Sequence, residues 1–234
     1  MMRVDSLRSG YGSIPVLTGL SFSVAQGEFV GILGHNGMGK TTLLKTLIGV
    51  MQPTGGGIEF QGADITRAPA HRRARLGMGY VPQGRGILPG LTVRENLLFA
   101  AAAAGARKSS SLESVLDGFP RLKHYLERPG GALSGGEQQL LALARTLIQN
   151  PKIVLLDEPT EGIQPSIIDE IVDQLKALRQ RSGLTILLVE QNVDFIRALS
   201  DRVLLIQKGL IVNEFSVEAL TDSSAMGDFS AMGH

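Results

Sequence analysis

The segment Gly34-His35-Asn36-Gly37-Met38-Gly39-Lys40-Thr41 fits the pattern G-x-x-x-x-G-K-[ST] and is followed by Thr42 at the head of a helical pattern. Its chemistry is the grasp of a nucleotide's phosphates. Glycines let the backbone curl so that its N–H groups point inward, and the helix N-terminus behind them adds partial positive charge. Lys40 can then reach the β- and γ-phosphates of a triphosphate, and the Thr41 hydroxyl can ligate Mg²⁺. The bland alternative is a glycine-rich strand-to-helix turn with a solvated lysine. A chance match in a chain of this composition has odds on the order of one in a hundred, and its place between strand and helix lowers them, so the phosphate reading prevails.

Asp157 and Glu158 close the apolar run Ile153–Leu156. Ligands of parallel α/β sheets sit beyond the carboxyl ends of the strands, so Asp157 is placed to hold Mg²⁺, directly or through water, and Glu158 to polarise an attacking water. Acids ending an apolar run are common on surfaces, and the upstream phosphate loop is what favours catalysis here. A third cluster, Leu133-Ser134-Gly135-Gly136-Glu137-Gln138-Gln139, opens a helix. Ser134 with Glu137 makes a capping box, which accounts for the serine but not for the paired glycines. A helix N-terminus presenting Ser134, Gly135 and Gly136 is a second anion site.

The elements that must position these groups alternate. Leu20–Val24 and Phe29–Leu33 are predicted strands, and Thr41–Val50 a helix with Leu43, Leu44, Leu47 and Ile48 at helical spacing. Gly55-Gly56-Gly57 is expected to break the chain before a short strand, Ile58–Phe60. From about Leu91 to Gln149 the pattern is helical, over Val93–Ala104, Ser111–Phe119 and Glu137–Gln149. Strands Ile153–Leu156, Thr185–Val189 and Val203–Ile206 then enclose a helix, Ser166–Arg181. Its Ile168, Ile171, Val172, Leu175 and Leu178 share one face behind Pro165. Such alternation implies an α/β protein with a mainly parallel sheet, and the unbroken apolar run at Ile153–Leu156 implies a strand buried on both faces. Beyond Ala219 the chain turns small and polar and is expected to be loose.

Composition narrows the function classes. The 234 residues are 43% hydrophobic and 19% charged, which suits a globular domain and not a disordered chain. A net charge of +1 gives no global reason to expect nucleic acid. Cysteine is absent, so there is neither a disulfide framework nor a thiolate metal site. The most apolar stretch, Leu97–Ala106, is far short of the roughly 20 residues that cross a bilayer. The chain is therefore expected to be soluble and to reach a membrane only through a partner.

Taken together, the phosphate loop, the acidic pair and Leu133-Ser134-Gly135-Gly136-Glu137-Gln138-Gln139 resemble the ABC ATPase family over about Arg3 to Phe215. The resemblance implies an ABC-type P-loop NTPase fold: a mainly parallel sheet core, an antiparallel β subdomain and an inserted helical subdomain. The division it suggests is one domain over residues 1–234, with the core at about 1–90 and 150–234 and the helical part at about 91–149. It implies ATP and Mg²⁺ as cofactors and head-to-tail pairing with a second ATPase subunit, identical or similar, so that Ser134–Gly136 closes on the partner's γ-phosphate. It also implies transmembrane permease subunits, an extracytoplasmic substrate-binding protein acting indirectly, no nucleic acid, and a place on the cytoplasmic face of the membrane. Tyr11 resembles the residue that stacks on adenine. Gln83, in Tyr80-Val-Pro-Gln-Gly, resembles the glutamine that senses Mg²⁺ and water and links the core to the helical part.

Two positions depart from the family pattern. Gln191, in Val189-Glu-Gln-Asn, stands where a histidine is usual. It can hydrogen-bond a γ-phosphate but cannot exchange a proton near neutral pH. Glu161-Gly-Ile-Gln164-Pro replaces a string that usually ends in aspartate. These strings resemble one branch, the ATPases of branched-chain amino acid importers and the similar urea importers. The phosphate-loop methionine and Glu161–Pro165 lean to urea, while the general resemblance is to the larger amino acid group, so branched-chain amino acids are the expected substrate and urea the alternative. Ile87, Leu88 and Leu91, within Gly84–Asn96, are candidates for contact with a membrane subunit or for core. A non-transport ABC ATPase, of the iron–sulfur assembly type, is the other class considered; the chain has neither sustained heptads nor a second phosphate loop.

Overall fold

The computed structural model describes residues 1–104 and 111–221. The tail expected to be loose lies, from residue 222 on, outside them. The strands are β1 (Met2–Tyr11), β2 (Ile14–Val24), β3 (Phe29–Leu33), β4 (Gly55–Phe60), β5 (Ala63–Asp64), β6 (Met78–Val81), β7 (Ile153–Asp157), β8 (Thr185–Glu190), β9 (Arg202–Gln207) and β10 (Leu210–Ser216). The α-helices are α1 (Lys40–Leu47), α2 (Ala70–Leu76), α3 (Val93–Ala104), α4 (Leu112–Gly118), α5 (Pro120–Lys123), α6 (Gly135–Leu147), α7 (Pro165–Ser182) and α8 (Val193–Leu199).

Two sheets result. An antiparallel one runs β2-β1-β4-β5, and a six-stranded one runs β10-β9-β3-β8-β7-β6. The second is parallel except for β10 on β9. Its strands are unbroken apolar runs because both faces are covered. Leu33, Val154, Leu156, Ile186, Leu188, Val203 and Leu205 pack with the helices α3 to α8. Their alternates Ile32, Ile153, Leu155, Leu187, Val189, Leu204 and Ile206 pack with α1 and the antiparallel sheet. The period-2 alternation of a strand thus divides one sheet between two cores.

Several elements differ from the sequence expectation. Gly55–Gly57 does not break the chain; it belongs to β4, paired with Arg8 and Asp5 of β1 across a register shift. Gly56 has φ +80°, and a Cβ there would collide with the Ser6 carbonyl, so the glycines serve a bulge. On α7, Ile167 is buried together with Ile171, Val172 and Leu175, whereas Ile168 and Leu178 are only half-buried. β1 went unassigned because its shift between Val4 and Leu7 interrupts the alternation. The short α2, α8 and β10 carry too little periodic pattern to be read from the sequence. The helix α2 is secured by Arg73, which is fully buried. Its guanidinium donates to the carbonyls of Thr46 and Leu47, both at 2.8 Å, closing the C-terminal end of α1.

Candidate active site

Four loops leave the carboxyl ends of adjacent strands, in the order β3, β8, β7, β6. They carry Gly34–Gly39, Gln191, Glu158 and Gln83 respectively. The parallel sheet therefore gathers at one rim residues that lie up to 157 positions apart, counting from Gly34 to Gln191.

The loop after β3 ends at Gly39, whose φ of +102° only glycine adopts readily, and α1 starts there with no side-chain cap and no acid in its first turn. That helix N-terminus is therefore left positive for an anionic ligand. Lys40, 4% exposed, folds back over the loop. Its Nζ donates to the carbonyls of Gly34 at 2.7 Å and His35 at 2.9 Å, and pairs with Glu158 Oε1 at 2.9 Å. Thr42 is buried on α1, and Met38 is half-buried with its Sδ accepting from the Lys208 N–H.

Thr41 Oγ1 donates to Asp157 Oδ1 at 3.0 Å, and the Tyr80 hydroxyl donates to Asp157 Oδ2 at 2.9 Å. Burial raises the Asp157 pKa; the two hydroxyl donors oppose that rise and the neighbouring Glu158 charge adds to it. The Tyr80 hydroxyl is pushed well up as well, first by burial and then by Asp157, with the Tyr11 phenol contributing. Asp157 and Thr41 offer hard oxygen donors, and among the described residues no group of three or more His, Cys, Asp or Glu gathers to hold a metal. That donor set fits Mg²⁺ accompanying a nucleotide, since the ion takes most of its ligands from phosphates and water.

Glu158 has φ +46°, a left-handed backbone that costs a non-glycine residue about 1 kcal/mol. The turn aims its carboxylate back towards Lys40. Gln83 Nε2 donates both to Glu158 Oε2 at 3.2 Å and to Glu161 Oε2 at 3.1 Å. Gln191 Nε2 donates to Asn36 Oδ1 at 2.9 Å, which puts the glutamine over the phosphate loop.

The structure thus brings together Asn36, Lys40, Thr41, Gln83, Asp157, Glu158 and Gln191. Tyr11, 53% exposed at the end of β1, lies near enough for its phenol to act on Tyr80, whose hydroxyl holds Asp157. Ser134 is the N-cap of α6, and Gly135 and Gly136 open its first turn. Ser134 and Glu137 complete a capping box there. A Cβ at Gly135 would lie 2.8 Å from Arg85 Nη2, and one at Gly136 would lie 2.9 Å from Ile167 Cγ1. Sequence reasoning named neither Tyr80 nor Glu161 nor Glu190 as a site residue. Each adjoins a named motif, but only the pairing of strands shows which side chains face inward.

Residues 17–161 match the family model described as ABC transporter. The chain is 38% identical over 229 residues to the "High-affinity branched-chain amino acid transport ATP-binding protein BraG" of Pseudomonas aeruginosa, covering 97% of this chain and 98% of that one. It is 36% identical over 212 residues to the "Probable branched-chain amino acid transport ATP-binding protein LivF" of Archaeoglobus fulgidus, covering 90% of each. A solved dimeric ATP-binding cassette in a post-hydrolysis state, bound to ADP and Pi, superposes with a TM-score of 0.82 at 25% identity, over 93% of this chain and 99% of that one.

Proposed function

The chain belongs to the ABC transporter family, and from that premise we propose that it is the ATP-hydrolysing subunit of an importer of branched-chain amino acids. The observation that carries the enzymatic part is the convergence of Lys40, Thr41, Asp157 and Glu158 at one rim of the sheet. The likeness to BraG and LivF along nearly their whole lengths supports the importer branch and its substrate class.

In this reading the backbone of Gly34–Gly39 and the N-terminus of α1 hold the phosphates. Lys40 turns its charge from Glu158 to the γ-phosphate, which frees Glu158 Oε1 to accept a proton from the attacking water. Asp157 and Thr41 would hold Mg²⁺, whose charge would stabilise the developing negative charge on the phosphates. Gln191 orients the phosphate or the water by hydrogen bonding without proton exchange. Gln83 reports the state of Glu158 to the loop that follows it. Ser134–Gly136 serve the nucleotide of a second subunit, and dimeric pairing is supported by the cassette that superposes on this one.

No helix among the described residues is long and apolar enough to cross a membrane; the likeness to transport ATP-binding proteins is what supports permease subunits as partners. We place their contact beside Gln83. Asn96 is fully buried and fastens Leu88–Thr92, accepting from the Leu88 N–H and donating to the Leu88, Leu91 and Thr92 carbonyls. Ile87 packs into the helical core, whereas Leu98 and Phe99 on α3 are 48% and 58% exposed. A rigid loop beside an exposed apolar helix face suits transmission of force to a membrane helix.

The experiment is ATP hydrolysis by the complex purified from membranes with this subunit as bait, supplied with binding protein loaded with leucine or with urea. Stimulation by leucine alone supports the substrate class, and stimulation by urea alone reassigns it. Recovery of no membrane subunit would move the chain to a non-transport role.

A further inference from the structure

We propose that Glu190 is a positioning residue that makes Gln191 and the loop after β7 a single mechanical unit; the inference rests on the ATPase reading above. Glu190 ends β8 and is 3% exposed, a buried carboxylate with no part in the mechanism so far. Oε1 accepts from the Thr160 N–H at 3.0 Å and the Thr160 hydroxyl at 2.6 Å. Oε2 accepts from the N–H groups of Gln191 at 2.7 Å and Asn192 at 3.0 Å. Its own carbonyl accepts from Gly34 N–H at 3.3 Å, at the start of the phosphate loop.

Each carboxylate oxygen therefore accepts twice, and the four donors come from two different loops. Only a carboxylate of this length meets that demand. An amide has one acceptor oxygen, so glutamine would set its NH₂ against the two backbone N–H groups or against the Thr160 N–H. Burying a carboxylate costs several kcal/mol unless its hydrogen bonds are complete, which they are here. Thr160 lies two residues beyond Glu158, and Gln191 holds Asn36. A shift of the Gln191 backbone thus pulls on Thr160, and a shift of the Glu158 loop pulls on the backbone that carries the Gln191 side chain.

The test uses the full chain with Glu190→Gln, Thr160→Val, Gln191→Ala and the double variant Glu190→Gln/Gln191→Ala. Nucleotide affinity, kcat, KM and amide exchange are measured on each. Glu190→Gln should keep nucleotide affinity and KM while lowering kcat about tenfold to a hundredfold, the scale of a small misplacement. The double variant should lose less than the product of the two single losses, because part of the carboxylate's action passes through Gln191. Amides of residues 158–164 and 190–195 should exchange faster together in Glu190→Gln while those of α1 stay protected. An unchanged kcat, multiplying effects in the double variant, or faster exchange in only one loop would each overturn the proposal. Should Glu190→Gln not fold, Thr160→Val decides: exchange must quicken at 190–192 as well as in its own loop. Lys40→Ala is the control for the ATPase reading. If it turns over as fast as wild type that reading fails, while the exchange data still judge this one.

Discussion

Lys40 Nζ and Glu158 Oε1 lie 2.9 Å apart, with the two side chains only 3% and 7% exposed. The cation proposed to grip the γ-phosphate is thus neutralised by the carboxylate proposed to activate water. The Gly34 and His35 carbonyls hold the lysine, and Gln83 holds the other oxygen of the glutamate. In so dry a place either charge alone is costly, so the pair ties the folding of the site to its chemistry.

Lys40→Ala should abolish nucleotide turnover and lower stability by about 3 kcal/mol, because it strands Glu158 as an uncompensated buried charge. Adding Glu158→Gln on that background should restore most of the stability and none of the activity. Denaturant melts and ATPase assays on the three proteins check this; a lysine variant of undiminished stability would show that the pair contributes little.

Glu158→Gln alone should retain ATP binding, lose at least about a hundredfold in hydrolysis, and accumulate as an ATP-bound dimer. The amide keeps the shape and an acceptor for Gln83 but cannot take a proton. Size exclusion with ATP, and single-turnover assays, read both outcomes. Hydrolysis at the wild-type rate would remove Glu158 from catalysis.

Asp157→Asn should raise the melting temperature while destroying Mg²⁺-dependent activity. Burial holds the Asp157 pKa above its ordinary value, so the folded state binds this proton more tightly than the unfolded state does. Its contribution to stability is therefore greatest at low pH and falls as pH rises from the ordinary carboxylate value through the raised one. Asparagine carries no such penalty: one hydroxyl neighbour, Thr41 or Tyr80, can keep donating to its oxygen while the other rotates to accept from its NH₂. The gap between the two proteins should open with rising pH and be complete at neutrality. A variant less stable than wild type at pH 7 would contradict this.

Gln191→His should introduce an inflection near pH 6.5 in the rate profile. Wild type should show no inflection that Gln191→Ala removes. Such an inflection in the wild type would place acid–base chemistry at a position that hydrogen-bonds Asn36.

The two glycines of the α6 turn should respond differently to alanine. Gly136→Ala drives a methyl against Ile167 Cγ1, a packed residue at the start of α7, and should cost about 1–3 kcal/mol. Gly135→Ala meets the end of the Arg85 side chain, which can swing aside, so its melting temperature should hold. Equal losses of stability would contradict this.

Much of this protein is legible in the chain itself. Lys40 and Thr41 belong to a local turn whose glycines are dictated by backbone conformation, and Asp157 and Glu158 end an apolar run too short for a helix and suited to a buried strand. Such features follow from local sterics and from period-2 or period-3.6 patterning, which short windows contain. Gly55–Gly57 misled because a bulge in a paired strand and a chain break call for the same residues, and only the partner strand, β1, distinguishes them. The site depends on the same kind of long-range information. Which acid faces Lys40, which oxygen of Glu190 receives Thr160, and that Tyr80 reaches Asp157 follow from the order β3, β8, β7, β6 across the sheet. The sequence determined which groups could bind phosphate and cleave it. The tertiary structure decided which of them meet, because hydrogen-bonded strand order, unlike local conformation, is settled only when distant segments pack.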